Sequence, residues 1–163
     1  MSSVTEIDIY TDIRAYLIAL FNCTVIRGRQ NNLPLPEDCI VMTILFNTDL
    51  DQIKTDYADN GTGVTAQAQQ SIQATMQLDF FGVNAANRSM QVQALWRSPY
   101  TTERLTKCQP LFSKPPQNLQ YINESGVYES RYMLEVALQY NPYYEYNEES
   151  ALAINAPTIG VIQ

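Results

Sequence analysis

The chain contains no histidine, which removes the side chain that most often moves protons and binds transition metals near neutral pH. Ser-His and Cys-His nucleophilic pairs are excluded with it. Cys23, Cys39 and Cys108 are far apart and form no CxxC pair, so their spacing fits neither a zinc knuckle nor a disulfide framework. Asp56 and Asp59 precede Gly61 in the outline of a calcium loop. That pattern fails where ligands are needed, because Ala58 at the third position and Gln67 at the twelfth carry no carboxylate. Gly61-Thr62-Gly63 lacks the lysine of a phosphate loop and reads as a turn. Glu148 and Glu149 are adjacent carboxylates beside a tyrosine cluster, and solvation accounts for them without acid–base work. The residues predict no enzyme, no metal site and no cofactor.

What remains are side chains suited to contact. Tyr140, Tyr143, Tyr144 and Tyr146 lie close together, and aromatics of this kind suit either an interface with one dry and one wet end or packing in their own domain. Leu152, Ile154, Ile159, Val161 and Ile162 fall in a tail, ALAINAPTIGVIQ, that carries no charge. Such a segment is expected to dock, on its own core or on another chain as an added strand. Seventeen acids against ten bases give a net charge of −7, which opposes non-specific binding to nucleic acid. An acidic surface suits solubility, and it also suits a conduit through which DNA slides without sticking.

These side chains need elements to position them. Ile72, Ala74, Met76, Leu78 and Phe80 alternate with polar residues from Ser71 to Phe81, the period of a half-buried strand. Tyr132, Leu134, Val136, Leu138 and Tyr140 repeat the pattern, and two matched strands invite antiparallel pairing. Thr5 to Asn22 reads as a helix with Ile7, Tyr10, Ile13, Leu17, Leu20 and Phe21 on one stripe. A short strand is expected at Thr24–Ile26, then an extended connector at Leu33-Pro34-Leu35-Pro36. Ile40–Phe46, apolar on both faces, reads as a central strand covered on both sides. Asn47–Asp59 is acidic and leads to Asp59-Asn60-Gly61, a turn signal, so an exposed hairpin-like excursion is expected. Glutamines at 67, 69, 70, 73 and 77 put amides on an outward face, to meet either solvent or a neighbouring subunit. Asn84 is placed as the N-cap of a helix running to Trp96, stopped by Ser98-Pro99, with a further helical turn to about Lys107. Pro110, Pro115 and Pro116 predict an irregular, extended passage, and Asn141-Pro142 the end or bend of the second long strand. The fold class is therefore α+β, a mainly antiparallel sheet flanked by helices. Residues 1–150 are expected to form one domain and 151–163 a tail or arm. Glu6, Asp8 and Asp12 oppose a signal peptide, and Ala15–Phe21 is too short to span a bilayer, so a soluble chain in a reducing cytosol is the expectation.

The order of these segments resembles one family. PLPEDCIVMTIL, then Tyr57-Ala58-Asp59, QLDFFG, NAANRSMQVQALWRSPY, PLFSKPPQNL and RYMLEVALQYNP together look like the phage neck terminator, or tail terminator, proteins of tailed bacteriophages, over roughly residues 10 to 142. The resemblance implies a structural protein of the virion that forms a hexameric ring on the head-proximal end of the tail tube. That ring would end tube polymerisation and join the tail to the head connector. Implied partners are further copies of the chain, the tail tube protein, the connector or stopper protein, and a sheath protein if the tail contracts. DNA would pass through without specific binding, no membrane would be involved, and assembly would take place in the host cytoplasm. Partner contacts are assigned to the Asn47–Val64 excursion, with Tyr57, Asp59 and Asn60, to Tyr143, Tyr144 and Tyr146, and to the tail with Leu152, Ile154, Ile159, Val161 and Ile162. A head-completion or stopper protein, a tube-like neck protein and a small cytosolic binding domain are the alternatives.

Overall fold

A computed structural model describes residues 3–30, 34–59, 63–122 and 125–148. The first helix, α1 (Glu6–Phe21), begins at a capping box in which the Asp8 backbone N–H donates to Thr5 Oγ1 and the Thr5 N–H donates back to the Asp8 carboxylate at 2.8 Å. Two N–H groups that a helix start leaves without partners are satisfied this way. Asn22 ends it in the left-handed region, φ 46°, and donates its N–H to the Ile18 carbonyl. The buried stripe is Ile9, Tyr10, Ile13, Tyr16 and Leu17. Ile7, expected on that stripe, is 67% exposed, and Ile9 takes its place.

Strand β1 (Thr24–Arg27) lies parallel to β2 (Cys39–Asp49); the other strand pairs are antiparallel. Strands β3 (Lys54–Asp59), β4 (Val64–Gln69) and β5 (Ile72–Phe81) follow. Two helices come next, α2 (Ala85–Leu95) and α3 (Pro99–Arg104), then β6 (Gln109–Ser113), β7 (Gln117–Ile122), β8 (Tyr128–Tyr140) and β9 (Tyr143–Glu148). The main sheet has the order β1-β2-β5-β8-β6, with β7 also on β8. This is an α+β fold with a mainly antiparallel sheet, as its residues predict, and Ile72 pairs with Tyr140 at the end of the two long strands.

One face of this sheet carries the core. Ile40, Met42, Met76, Leu78, Leu134 and Leu138 are fully buried there beneath α1 and α2. Fully burying a side chain of this size stabilises by about 1.5–3 kcal/mol. Trp96 closes the core at the end of α2, with its ring edge-on to Tyr16 and its indole N–H donated to the Ala137 carbonyl at 3.0 Å.

Several expectations change. Among the described residues strand β2 is covered by helices on one side only: Val41 and Thr43 are half-buried and Phe46 is 56% exposed, because the described helices lie on the other face. The proline-rich passage is extended as expected, but it is two regular strands on either side of Pro115-Pro116, since β8 is 13 residues long and pairs with β7 along its first half and β6 along its second. Pro110 sits at a register shift on β6, an outer strand, where its missing N–H is tolerated. Asn84 caps α2 through its backbone carbonyl, which accepts from the Arg88 N–H, and its side chain makes no cap bond. Asp38, just after the proline connector, grips Arg88 with both carboxylate oxygens at 2.6 and 3.1 Å. Gly82, at φ +101°, allows that approach: a Cβ there would stand 2.7 Å from Asp38 Oδ1.

Candidate interaction surfaces

Beyond the core the two long strands do not stop. Ile72 faces Tyr140 and, three residues further, Gln69 faces Tyr143, so β4 and β9 continue β5 and β8 in one register. Strand β3 follows β2 on the outer side of β4, with its register shifted between Asp49, which faces Ile72, and Lys54, which faces Gln69. The three-stranded sheet β3-β4-β9 is thus an arm, an extension of the middle of the main sheet past a break at Leu50–Ile53, Gln70-Ser71 and Asn141-Pro142. Pro142 removes a ladder donor at that break, and its carbonyl accepts from Gln70 N–H. Ser71 donates its backbone N–H and its hydroxyl to the Asp51 carboxylate, both at 2.8 Å. These two bonds hold the Asp51 carboxyl below its usual range. The Tyr143 N–H donates to Ser3 Oγ at 2.8 Å, which ties the N-terminal segment to the same break.

Side chains alternate along the arm. Tyr57, Ala66 and Tyr146 face one another across three strands, as do Thr55, Ala68 and Tyr144, and Asp59, Val64 and Glu148. Small residues on the middle strand let the outer tyrosines cover it: Ala66 is fully buried, while Tyr57, Tyr144 and Tyr146 are 62%, 68% and 43% exposed. Partial desolvation, then the Glu148 carboxylate and the Tyr57 phenol, raise the Tyr146 phenol above its ordinary pKa. The face is therefore a tyrosine platform with two carboxylates at its outer end.

Of the residues assigned to partner contact, Tyr57, Asp59, Tyr144 and Tyr146 come together on this face. Tyr143 does not: its register puts it on the opposite face, half-buried at the break, with a buried phenol oxygen that has no hydrogen-bond partner among the described residues. Asn60, Leu152, Ile154, Ile159, Val161 and Ile162 lie outside the described residues. Glu148, set aside in the sequence as solvated, completes the face. Only the cross-strand register reveals it.

A second surface is the side of the main sheet that no helix among the described residues covers. Gln73, Thr75, Gln77 and Asp79 of β5 share it with Arg131 and Glu135 of β8 and Phe46 of β2. Asp79 is buried at its centre, where Oδ1 accepts from Arg131 Nε and Nη2 at 3.1 and 2.9 Å and Oδ2 accepts from Gln77 at 2.6 Å. The glutamine amides of β5 are thus partly committed within the sheet.

Among the described residues no group of His, Cys, Asp and Glu could hold a metal ion, and no helix is long and apolar enough to cross a membrane. Burial pushes the Cys39 thiol up to about 11 and the Cys108 thiol to about 12, so neither offers the thiolate that nucleophilic chemistry requires.

No curated protein matches the chain. The sequence model of the phage neck terminator protein matches residues 8–163, which includes the uncharged tail that the motif order leaves out. With a match over nearly its whole length, the chain belongs to the phage neck terminator protein family and is a structural protein of the phage neck.

Proposed function

We propose that the chain forms a six-membered ring on the head-proximal end of the tail tube, where it ends tube polymerisation and joins the tail to the head connector. The observation that carries this reading is the arm: a three-stranded extension with an exposed tyrosine face that continues the register of the two long strands. A ring of identical subunits needs a head-to-tail contact between two different surfaces of the same molecule, and a projecting arm can reach a neighbour. In this reading residues 1–150 act as one unit. The Asn47–Val64 excursion and the 151–163 tail make contacts between subunits or with the tube. The tail tube protein, the connector or stopper and, in a contractile tail, the sheath protein are the other partners. DNA passes through the ring without specific binding, as the net charge of −7 favours. The work calls for no catalytic residue and no cofactor, and assembly takes place in the host cytoplasm.

Electron microscopy of particles assembled with and without the chain tests this. Overlong or irregular tails beside unjoined, DNA-filled heads are expected in its absence. Tails of normal length beside heads that leak DNA would assign the chain to the stopper instead, and unchanged virions would rule out both.

A further inference from the structure

The opposite side of the subunit carries the chemical counterpart of the tyrosine platform. Strand β1 is the edge of the main sheet, paired only with β2 through Cys39–Met42 among the described residues. Between it and α1 lie two adjoining hollows, about 360 and 350 Å³, that share Tyr10, Arg27 and Gln30. Their walls are apolar where α1 meets β1, with Ile26 half-buried and Ile7 67% exposed. Their rims are basic. Arg14 borders one hollow and Arg29 the other, both exposed and neither ion-paired among the described residues. Arg27 is held between the Glu6 carboxylate, at 2.9 Å, and the Tyr10 ring, 4.2 Å from its centroid. A cationic rim of this kind is unusual ground in a chain of net charge −7.

We propose that the tyrosine face of the arm of one copy docks in this α1–β1 hollow of the next copy. The proposal rests on the ring reading and names the two surfaces that would meet. Charge and shape class agree: Asp59 and Glu148 at the end of the arm match Arg14 and Arg29, and exposed tyrosines match an apolar wall beside guanidinium groups that attract aromatic faces. Geometry within one chain keeps the two apart. Strand β1 pairs with the start of β2, and the arm begins beyond the end of β2. Each surface must find its partner on another copy, and a contact between two different surfaces is the kind that closes into a ring.

Two variants of the full chain test this, one with Arg14→Glu and Arg29→Glu, the other with Asp59→Arg and Glu148→Arg. All four positions are exposed, and thermal unfolding checks that each variant folds. The readouts are occupied tube ends, counted by electron microscopy with the phage's tail tubes, and particle mass in solution. Each variant alone should lose occupancy by about tenfold or more, because like charges then face each other. Mixed in equal amounts, the two should recover it as alternating rings, since each acidic hollow meets a basic arm and each basic hollow an acidic one. Wild-type occupancy by either variant alone would overturn the docking and leave the ring reading intact. Folded variants that fail both alone and mixed would overturn it too, and would assign these charges to the tube or connector. A wild-type chain that never occupies tube ends would defeat the ring reading itself.

Discussion

Asp51 and Ser71 are joined by two hydrogen bonds, both 2.8 Å, at the point where the main sheet hands over to the arm. One carboxylate thereby satisfies a backbone donor that the interrupted ladder leaves behind. The Asp51 pKa is lowered in the folded chain, so its contribution to stability is present above the unfolded carboxylate value and is lost as pH falls through the folded one. Asp51→Asn should therefore flatten the acid side of the stability profile below about pH 4. It should also speed hydrogen exchange at Val64–Gln69 more than at Met76–Phe80. Equal change in both segments would mean that Asp51 acts on the whole sheet.

Asp79 and Arg131 set a second test. The carboxylate is nearly buried and the guanidinium about a quarter exposed. Asp79→Ala should cost about 2–3 kcal/mol, below the full range for breaking a buried pair because water still reaches Arg131. Replacing both residues with apolar ones of similar volume should recover much of that loss in urea unfolding.

Trp96 anchors α2 to β8 through its ring and its indole N–H. Trp96→Ala should destabilise by about 3–5 kcal/mol. Trp96→Phe, which keeps most of the volume but leaves the Ala137 carbonyl without that donor, should cost about 1–3 kcal/mol. Denaturant midpoints at constant slope give both values.

Thiol reactivity should follow burial. Cys39 and Cys108 are buried with strongly raised pKa values, and Cys23 is half-buried with a smaller rise. Iodoacetamide near pH 8 should modify Cys23 first, and the other two only as fast as the chain opens. Mass spectrometry of the digested protein reports the order, and rapid labelling at Cys108 would contradict the packing around it.

Deleting residues 151–163 should weaken assembly on tube ends while the remaining chain stays folded, if the tail serves a neighbour as proposed. A large fall in the thermal midpoint of the truncated chain would instead assign the tail to its own core.

The sequence by itself determined the chain's local texture. Strict alternation at Ile72–Phe80 and Tyr132–Tyr140, and the strand end at Asn141-Pro142, each act within a few residues of backbone, so their effect is readable without knowing any neighbour. The order of those segments was enough to point to the family. Tertiary structure alone decided which faces are covered and which residues meet. Ile40–Phe46 looks equally apolar on both sides, and only the placement of α1 and α2 on one face leaves Phe46 exposed. The extended passage around Pro110, Pro115 and Pro116 shows no regular strand until the length of β8 offers a partner to each side of Pro115-Pro116. Tyr57, Tyr146 and Glu148 are joined across strands, and Tyr143 is sent to the other face, by a register set far away along β5 and β8. Pairing between strands distant in sequence is a property of the folded chain, so no local pattern could have carried it.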